Sequence, residues 1–340
     1  MNSTILHTRL PLVAAPMAGG PTTVALAREA AKSGAFPFLA GGYKTAEKLA
    51  EEITELRASV DTFGVNLFVP SQSTVDPQSL VRYARELEEE ALHYDLHIQP
   101  HTDMGDDFWP EKISLLLTDP VPVVSFTFGL PEKSIISAFH EVGSTVLATV
   151  TTVDESRAAR AAGVDGLIVQ GPRAGGHSAT FDPSRTFSDV STAQVVRQVK
   201  EKVDLPIIAA GGVDGPESIR ENLDAGAQWV SVGTLLLDAD EAGTSSLHRQ
   251  ALHDPRFTET VLTRAFTGRP ARALRNGFTI RHDESAPNAY PAVHYLTWEL
   301  RKAAAEASDL DRVHLWAGTG WRNARSQPVA EIIGWLSDGL

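Results

Sequence analysis

Eight short apolar runs recur along this chain, each followed by a stretch that can form a helix. They fall at 11–16 (PLVAAP), 36–40 (FPFLA), 63–68 (FGVNLF), 121–126 (VPVVSF), 145–149 (TVLAT), 165–170 (DGLIVQ), 206–210 (PIIAA) and 229–232 (WVSV). They are rich in Val, Ile and Phe and barely alternate with polar residues, as expected of strands covered on both faces. The intervening sequence has helical spacing. Leu49, Ile53, Leu56 and Val60 follow one another at four, three and four, on one helix face. Asp214-Gly215-Pro216 opens another helix, with proline in the first turn. A doubly wound sheet usually stops near about six strands, whereas eight β/α units close naturally into a barrel. The expected fold is therefore a (β/α)8 TIM barrel.

Two stretches exceed a minimal barrel. Residues 69–120 are too long for one helix, and residues 246–310 carry further helix and several prolines. The expected organisation is a barrel from 1–245 and 311–340, with a small helical lid or substrate domain at 246–310. No internal repeat with a clear period is present.

Nearly every apolar run ends in small residues: Ala18-Gly19-Gly20, Gly41-Gly42, Gly129, Gly171, Gly211-Gly212 and Gly233. Small residues at the C-terminal rim of a barrel let backbone approach a ligand closely, and barrels place their sites on that rim. The densest cluster is Gln170-Gly171-Pro172-Arg173-Ala174-Gly175-Gly176-His177, directly after the sixth run. Gly175 and Gly176 remove side chains where a planar ligand could lie on backbone, and His177 can exchange a proton near neutral pH. The alternative is a glycine-rich surface turn with a solvated histidine. After the seventh and eighth runs come Gly211-Gly212 and Ser231-Val232-Gly233-Thr234. Loops at these two places in a barrel commonly cradle phosphate with backbone N–H groups, and Thr234 could add a hydroxyl donor. The alternative is that these glycines only make tight turns. Asn66, between Val65 and Leu67, has an amide that needs partners and could meet the polar edge of a ring system. Met17 stands at the end of the first run, where a methionine is more often core than site.

Composition narrows the chemistry. The chain has no cysteine, which excludes disulfides, thiolate metal sites, iron–sulfur clusters and cysteine nucleophiles. Any redox chemistry must come from a bound cofactor. Lys plus Arg number 30 against 43 Asp plus Glu, a net charge of −13, which argues against nucleic acid or an anionic membrane as partner. No run approaches the roughly 18 apolar residues of a membrane helix. The start lacks the basic and apolar segments of a signal peptide, so Asn2-Ser3-Thr4 is a chance match to a glycosylation pattern and a cytoplasmic location is expected.

Weaker candidates are set aside. Arg264, Arg269, Arg272 and Arg275 could attract an anion, but solvated or salt-bridged arginines account for them as well. His93, His97 and His101 are spaced by four, yet Pro100 interrupts a helix there and no metal site is expected. His177-Ser178 lies in GHSAT, where Thr180 replaces the second glycine of a nucleophile elbow. Neither a dinucleotide fingerprint nor a P-loop occurs.

Together, PLVAAPMAG, FGVNLFVP, VSFTFGLP, IVQGPRAGGHSATF, PIIAAGGV, SVGTLLL and TGRPARALRN occur in order over most of residues 10–278, with LWAGTGW near 315–321. In these segments the chain resembles the nitronate monooxygenases, also called 2-nitropropane dioxygenases, which are FMN-dependent barrels. The resemblance implies that Ala15, Pro16 and Met17 line the isoalloxazine and that Asn66 and Gln170 hydrogen-bond it. It further implies that Gly175 and Gly176 pack against the flavin, and that Gly211, Gly212 and the turn Ser231, Val232, Gly233, Thr234 hold the phosphate. His177 matches the family's active-site histidine, which accepts the α-proton of a nitroalkane or orients the nitronate. Tyr290 stands where relatives place a tyrosine over the substrate. Thr127 replaces a histidine of many relatives, and His294 and Trp298 replace a tyrosine and a lysine, which leaves the substrate less defined than the cofactor.

The implied activity is FMN-dependent oxidation of alkyl nitronates, such as propionate-3-nitronate, or of nitroalkanes with O₂, by a monomer or homodimer. One alternative is an NAD(P)H-dependent enoyl-thioester or quinone reductase on the same flavin barrel. Another is a non-redox phosphate-binding lyase or isomerase that uses His177 as a proton shuttle.

Overall fold

A computed structural model describes residues 5–70, 76–100 and 105–340. The eight apolar runs are eight parallel strands of a closed barrel: β1 (Leu12–Ala14), β2 (Phe36–Ala40), β3 (Gly64–Phe68), β4 (Val123–Thr127), β5 (Thr145–Val150), β6 (Gly166–Gln170), β8 (Ile207–Ala210) and β9 (Trp229–Val232). Between β6 and β8 lies β7 (Gly176–His177), which belongs to a separate three-stranded sheet with β10 (Thr260–Thr263) and β11 (Ala271–Leu274).

The strands do alternate, but between two buried environments. Residues such as Val65, Leu67, Val124, Phe126, Val169, Val230 and Val232 face outward into the core shared with the helices. Val13, Phe36, Phe38, Val123, Leu147, Ile168, Ile208 and Trp229 face inward and form a second core with Ile5 and Leu6, which seals the barrel floor. Near the C-terminal ends of the strands the inward positions become polar: Asn66, Ser125, Thr127, Thr149 and Ser231. A dry floor under a polar mouth is the arrangement that places a site at the rim.

The helices form as their spacing predicts. Ala46–Arg57 buries Leu49, Ile53 and Leu56, is capped by Thr45, and ends before Val60, which packs into the same core. Pro216–Asp224 starts with its proline in the first turn. The C-terminal helix Val329–Leu336 packs against Val24–Lys32 and Pro216–Asp224, bringing the end of the chain back onto the barrel.

The additions to the barrel come from two places. After β3 the chain forms Pro77–Glu86 and Glu88–Leu92 before the barrel helix Trp109–Thr118. After β9 come Ser246–His253, the antiparallel pair β10–β11, Gly277–His282, Ala292–Leu296 and Trp298–Glu306. Leu80, Tyr83 and Leu87 of the first addition share a core with Phe266, Phe278, Val293, Leu296 and Leu300 of the second. Buried Glu90 of the first accepts from Arg281 at 2.6 Å and Arg312 at 2.5 Å of the second. We refer to this composite layer as the cap. The helical spacing expected in 246–310 is present, and to it the structure adds β10 and β11. Their Thr260-Val261-Leu262-Thr263 is β-branched sequence too short to show a period. Among the described residues, no helix is long and apolar enough to cross a membrane.

Candidate active site

A cavity of about 760 Å³ opens at the C-terminal mouth of the barrel beneath the cap. That volume lies within the range of small-molecule and cofactor sites. Its wall includes Ala15, Pro16, Met17, Asn66, Thr127, Gln170, Gly175, Gly176, His177, Gly211, Gly212, Ser231, Gly233 and Thr234. Two sequence candidates are not on that wall. Val232 turns outward into the helix-side core, and its carbonyl accepts from Ala15 N at 2.9 Å. Tyr290 stands just behind the lining, with its ring 5.5 Å from that of His177.

The polar mouth is wired together. Asn66 Nδ2 donates to Ser125 Oγ at 2.9 Å and to Thr127 Oγ1 at 2.9 Å, and Thr127 Oγ1 lies 3.2 Å from Thr149 Oγ1. Thr127 therefore helps to fix the Asn66 amide, which is buried among strands that offer few other partners.

His177 is held on several sides. Its strand β7 pairs antiparallel with β11, His177 opposite Ala271. Gln170 spends its amide on the same loop, donating to His177 O at 3.2 Å and accepting from Ala179 N at 2.8 Å. Arg269 Nε donates to Ser178 O at 3.0 Å and its Nη2 to Thr180 O. Buried Glu155 accepts from Thr180 Oγ1 at 3.0 Å and from Phe181 N at 2.8 Å. The ring itself is fixed by Thr267, whose Oγ1 lies 2.9 Å from His177 Nε2 and donates to Arg269 O at 3.3 Å. A hydroxyl that donates to a carbonyl accepts from its other neighbour, which assigns the proton to Nε2 and the lone pair to Nδ1. Burial, with the charges of Arg269 and Arg301, holds this imidazole down to about 3, so it is neutral at physiological pH.

At the other side of the mouth the glycines make room. Gly211 and Gly212 have φ of +97° and +72°, which disfavours any residue with a Cβ. A Cβ on Gly175 would lie 2.9 Å from Thr234 Oγ1 and 2.7 Å from Ala317 C. Thr234 Oγ1 accepts from Gly318 N at 2.9 Å and keeps its own proton to offer. Along the same wall, His248 Nε2 and Thr244 Oγ1 are buried with no partner among the described residues. Polar atoms so placed match a ligand that carries hydroxyls.

The cap side is aromatic and cationic. Tyr43 OH lies 3.1 Å from Tyr290 OH, and the Tyr43 ring stacks on His294 with centroids 4.7 Å apart. Phe128 contacts His177 and Tyr290 edge-on, and the Arg269 guanidinium lies 3.9 Å above its ring. Tyr43 and Phe128 both hold the left-handed conformation, at φ of +64° and +79°, a strain of about 1–3 kcal/mol each that surrounding contacts must offset. Burial first, and then Arg301, lowers His294 to about 2, and burial lowers His248 to about 4. In a chain of net charge −13, the cavity wall contains Lys44, Arg301 and Lys302 and no carboxylate.

The remaining sequence candidates sit elsewhere. Arg275 pairs with Glu259 at 2.6 Å, and Arg272 donates to Pro172 O at 3.0 Å, so neither is free for an anion. Arg264 is turned to Pro183 O at 2.8 Å. His97 lies 2.9 Å from Glu88, away from the cavity, while His101 and Asn2-Ser3-Thr4 fall outside the described residues. Tyr43, Phe128, Arg301, His314 and Trp316 were not singled out from sequence. Phe128 and Trp316 had a signal, through the VSFTFGLP and LWAGTGW segments; the others are single residues in polar or amphipathic surroundings.

Comparison with known proteins bears on this geometry. A family model described as nitronate monooxygenase matches residues 2–339. A protein of Staphylococcus saprophyticus named probable nitronate monooxygenase is 33% identical over 338 residues, covering 97% of this chain and 94% of its own. One of the same name from Staphylococcus aureus strain MSSA476 is 33% identical over 336 residues, with the same coverage. Among solved structures, nitroalkane oxidase from Streptomyces ansochromogenes superposes with a TM-score of 0.92 at 43% identity, covering 97% of this chain and 95% of that one. FabK from Thermotoga maritima superposes at 0.73 with 24% identity, covering 98% and 93%, a likeness of fold alone.

Proposed function

The chain belongs to the nitronate monooxygenase family, and from that premise we propose that its cavity holds FMN and that it oxidises alkyl nitronates with O₂ in preference to neutral nitroalkanes. The observation that carries this reading is the cavity itself: a neutral histidine, a glycine cradle and a lining that carries Arg301 and Lys302 but no carboxylate.

The residues present fit a flavin mononucleotide. Gly175, Gly211 and Gly212 let their loops pack tightly onto the 317–318 segment, Ala174 and Arg173, where a Cβ would intrude, and the loops after β8 and β9 offer backbone N–H groups and Thr234 Oγ1 to a phosphate. The unpartnered His248 Nε2 and Thr244 Oγ1 suit the hydroxyls of a ribityl chain. Ala15, Pro16 and Met17 give an apolar edge, Asn66 stands at the polar mouth with its Nδ2 held by Ser125 and Thr127, and Gln170 braces the His177 loop beside it. When bound, the flavin supplies the electron acceptance and the reaction with O₂.

The protein's part is position and electrostatics. A histidine held near 3 is a weak base toward a carbon acid, whereas a nitronate arrives with its proton already gone. With its Nε2 proton donated to Thr267, His177 has no N–H to offer an anion, so it shapes the nitronate's position with the C–H edge of its ring, which Thr267 fixes from behind. When a neutral nitroalkane enters, Nδ1 accepts the α-proton, and the anion so formed stabilises the imidazolium. Tyr290, Phe128 and Trp316 surround the His177 ring with apolar surface and limit water around the reacting carbon. The cap, including residues 246–310, is assigned as the part that closes over the substrate.

Oxygen uptake by the FMN-loaded enzyme across ethyl, propyl and carboxylate-bearing nitronates, with and without NADH, tests this reading. Uptake with nitronates that does not need NADH is expected. Flavin that is bleached anaerobically by NADH but by none of the nitronates would overturn it in favour of a reductase.

A further inference from the structure

Arg301 projects from the cap helix Trp298–Glu306, is only 5% exposed and forms part of the cavity wall. Every group it bonds is neutral. Nε donates to Thr297 Oγ1 at 3.0 Å and Nη2 to His294 O at 2.9 Å. His294 Nδ1 lies 3.3 Å from Nη2, and His314 Nδ1 lies 3.4 Å from Nη1. A guanidinium has five N–H groups. One on Nη1 is therefore free, and its twin is held only by the long contact to His314.

The other arginines around the cap and the His177 loop, of which only Arg269 is buried, are spent differently. Arg281 and Arg312 share the carboxylate of Glu90, and Arg269 is turned into the carbonyls of the His177 loop. Among the described residues Arg301 has no carboxylate within ion-pair distance. A buried charge without a counter-ion is costly, and this cost is borne on the wall of a cavity in which acidic residues are absent. Two aromatic rings link Arg301 to His177: the His177 and Trp316 rings are 5.4 Å apart, Trp316 and His314 are 5.3 Å apart, and His314 touches the guanidinium. Lys302, the next residue, extends the positive edge toward solvent.

We propose that Arg301 is the anion-recognition residue of the substrate pocket, receiving a two-oxygen anion of the substrate at its Nη1 donors. The anion is either the nitronate group itself or a carboxylate carried on the same molecule; both present paired oxygens to a guanidinium. This rests on the oxidase reading for its substrate, though not for the anion site. Arg301 is in this sense a specificity-determining residue, and His294 and His314 are the neutral acceptors that position it.

The test uses the FMN-loaded enzyme with Arg301→Gln and Arg301→Lys. KM and kcat are measured for 1-nitropropane, for its nitronate and for 3-nitropropionate as nitronate, and the binding of propionate is read from its perturbation of the flavin spectrum. Loss of a charged hydrogen bond predicts that Arg301→Gln raises KM for the anionic substrate about tenfold or more, with kcat for that anion and the KM of neutral 1-nitropropane changed less than about twofold. Arg301→Lys recovers part of the loss. An effect on every nitronate assigns the site to the nitronate group, and an effect confined to 3-nitropropionate and propionate assigns it to a carboxylate. Equal changes for neutral and anionic substrates, or no change, overturn the proposal. If Arg301→Gln does not fold, the Lys variant and wild-type propionate binding decide, and a wild-type flavin spectrum indifferent to both propionate and nitronates overturns it. Propionate binding that depends on Arg301 in an enzyme that oxidises no nitronate would leave the anion site standing while the oxidase reading falls.

Discussion

The hydroxyls of Tyr43 and Tyr290 lie 3.1 Å apart, joining the loop after β2 to the cap directly above His177. Burial pushes the Tyr43 phenol up from 10.0 to about 12 and raises Tyr290 well above its ordinary range. Both are neutral at physiological pH, and each is the other's partner. Tyr43→Phe and Tyr290→Phe should each destabilise the protein by about 1 kcal/mol, since each strands one buried hydroxyl. The double variant should cost less than the sum of the two. Because the folded pKa is raised, the contribution is complete below pH 10 and is lost as pH rises toward about 12. Denaturant titrations at pH 8 and pH 11 on the four proteins measure both effects; strict additivity would dissolve the pair.

Four histidines on the cavity wall are held neutral: His177 to about 3, His248 to about 4, His294 to about 2 and His314 well below its ordinary value, in every case chiefly by burial. In the unfolded chain each takes a proton below about 6.5, and in the folded chain it does not. Stability is thus complete above that pH and falls as pH drops below it, by up to about 1 kcal/mol per pH unit per histidine. Unfolding at pH 5.5 should take up several protons and the melting temperature should fall steeply between pH 7 and 5.5. A flat profile in the flavin-free protein contradicts the neutral assignment.

His177→Ala should keep the flavin-to-protein ratio of the wild type, because Gln170, Arg269 and Glu155 hold the loop without the ring. Turnover of a neutral nitroalkane should fall by about 100-fold or more, the usual size of a lost general base. Turnover of a preformed nitronate should fall less. Stopped-flow reduction with both forms of one substrate separates the two, and equal losses would remove the proton-accepting role.

Gly175→Ala should fold but lose flavin. Its Cβ would sit 2.7 Å from Ala317 C and 2.9 Å from Thr234 Oγ1, so the 317–318 loop must retreat from the cradle. Flavin content after purification, followed by titration with FMN, measures the effect; full occupancy at wild-type affinity would show that the cradle tolerates the methyl group.

The barrel was legible because each strand is covered on both faces and so leaves an unbroken apolar run between helical periods. The floor and the mouth were not distinguishable in that reading, since Asn66 and Thr127 are single polar residues whose inward direction depends on the register of β3 with β4. The rim glycines and His177 were visible as local composition. Tyr43 and Arg301 were not, because they come from a loop after β2 and a cap helix and come together only around His294. The cap is a similar case. Leu80 and Tyr83 pack with Phe278 and Leu300 across about 200 residues of sequence, and nothing in either segment announces the other.

His177 shares a ladder with Ala271, so the histidine belongs mechanically to the three-stranded sheet of β10, β11 and β7 rather than to the barrel rim from which its loop departs. Lifting the β10–β11 ribbon as a rigid door would tear that ladder and carry the imidazole away with it. Lys302 and half-exposed Trp298, which also line the cavity, belong to a helix outside that ladder. A movement of that helix would leave the ladder that holds the imidazole intact.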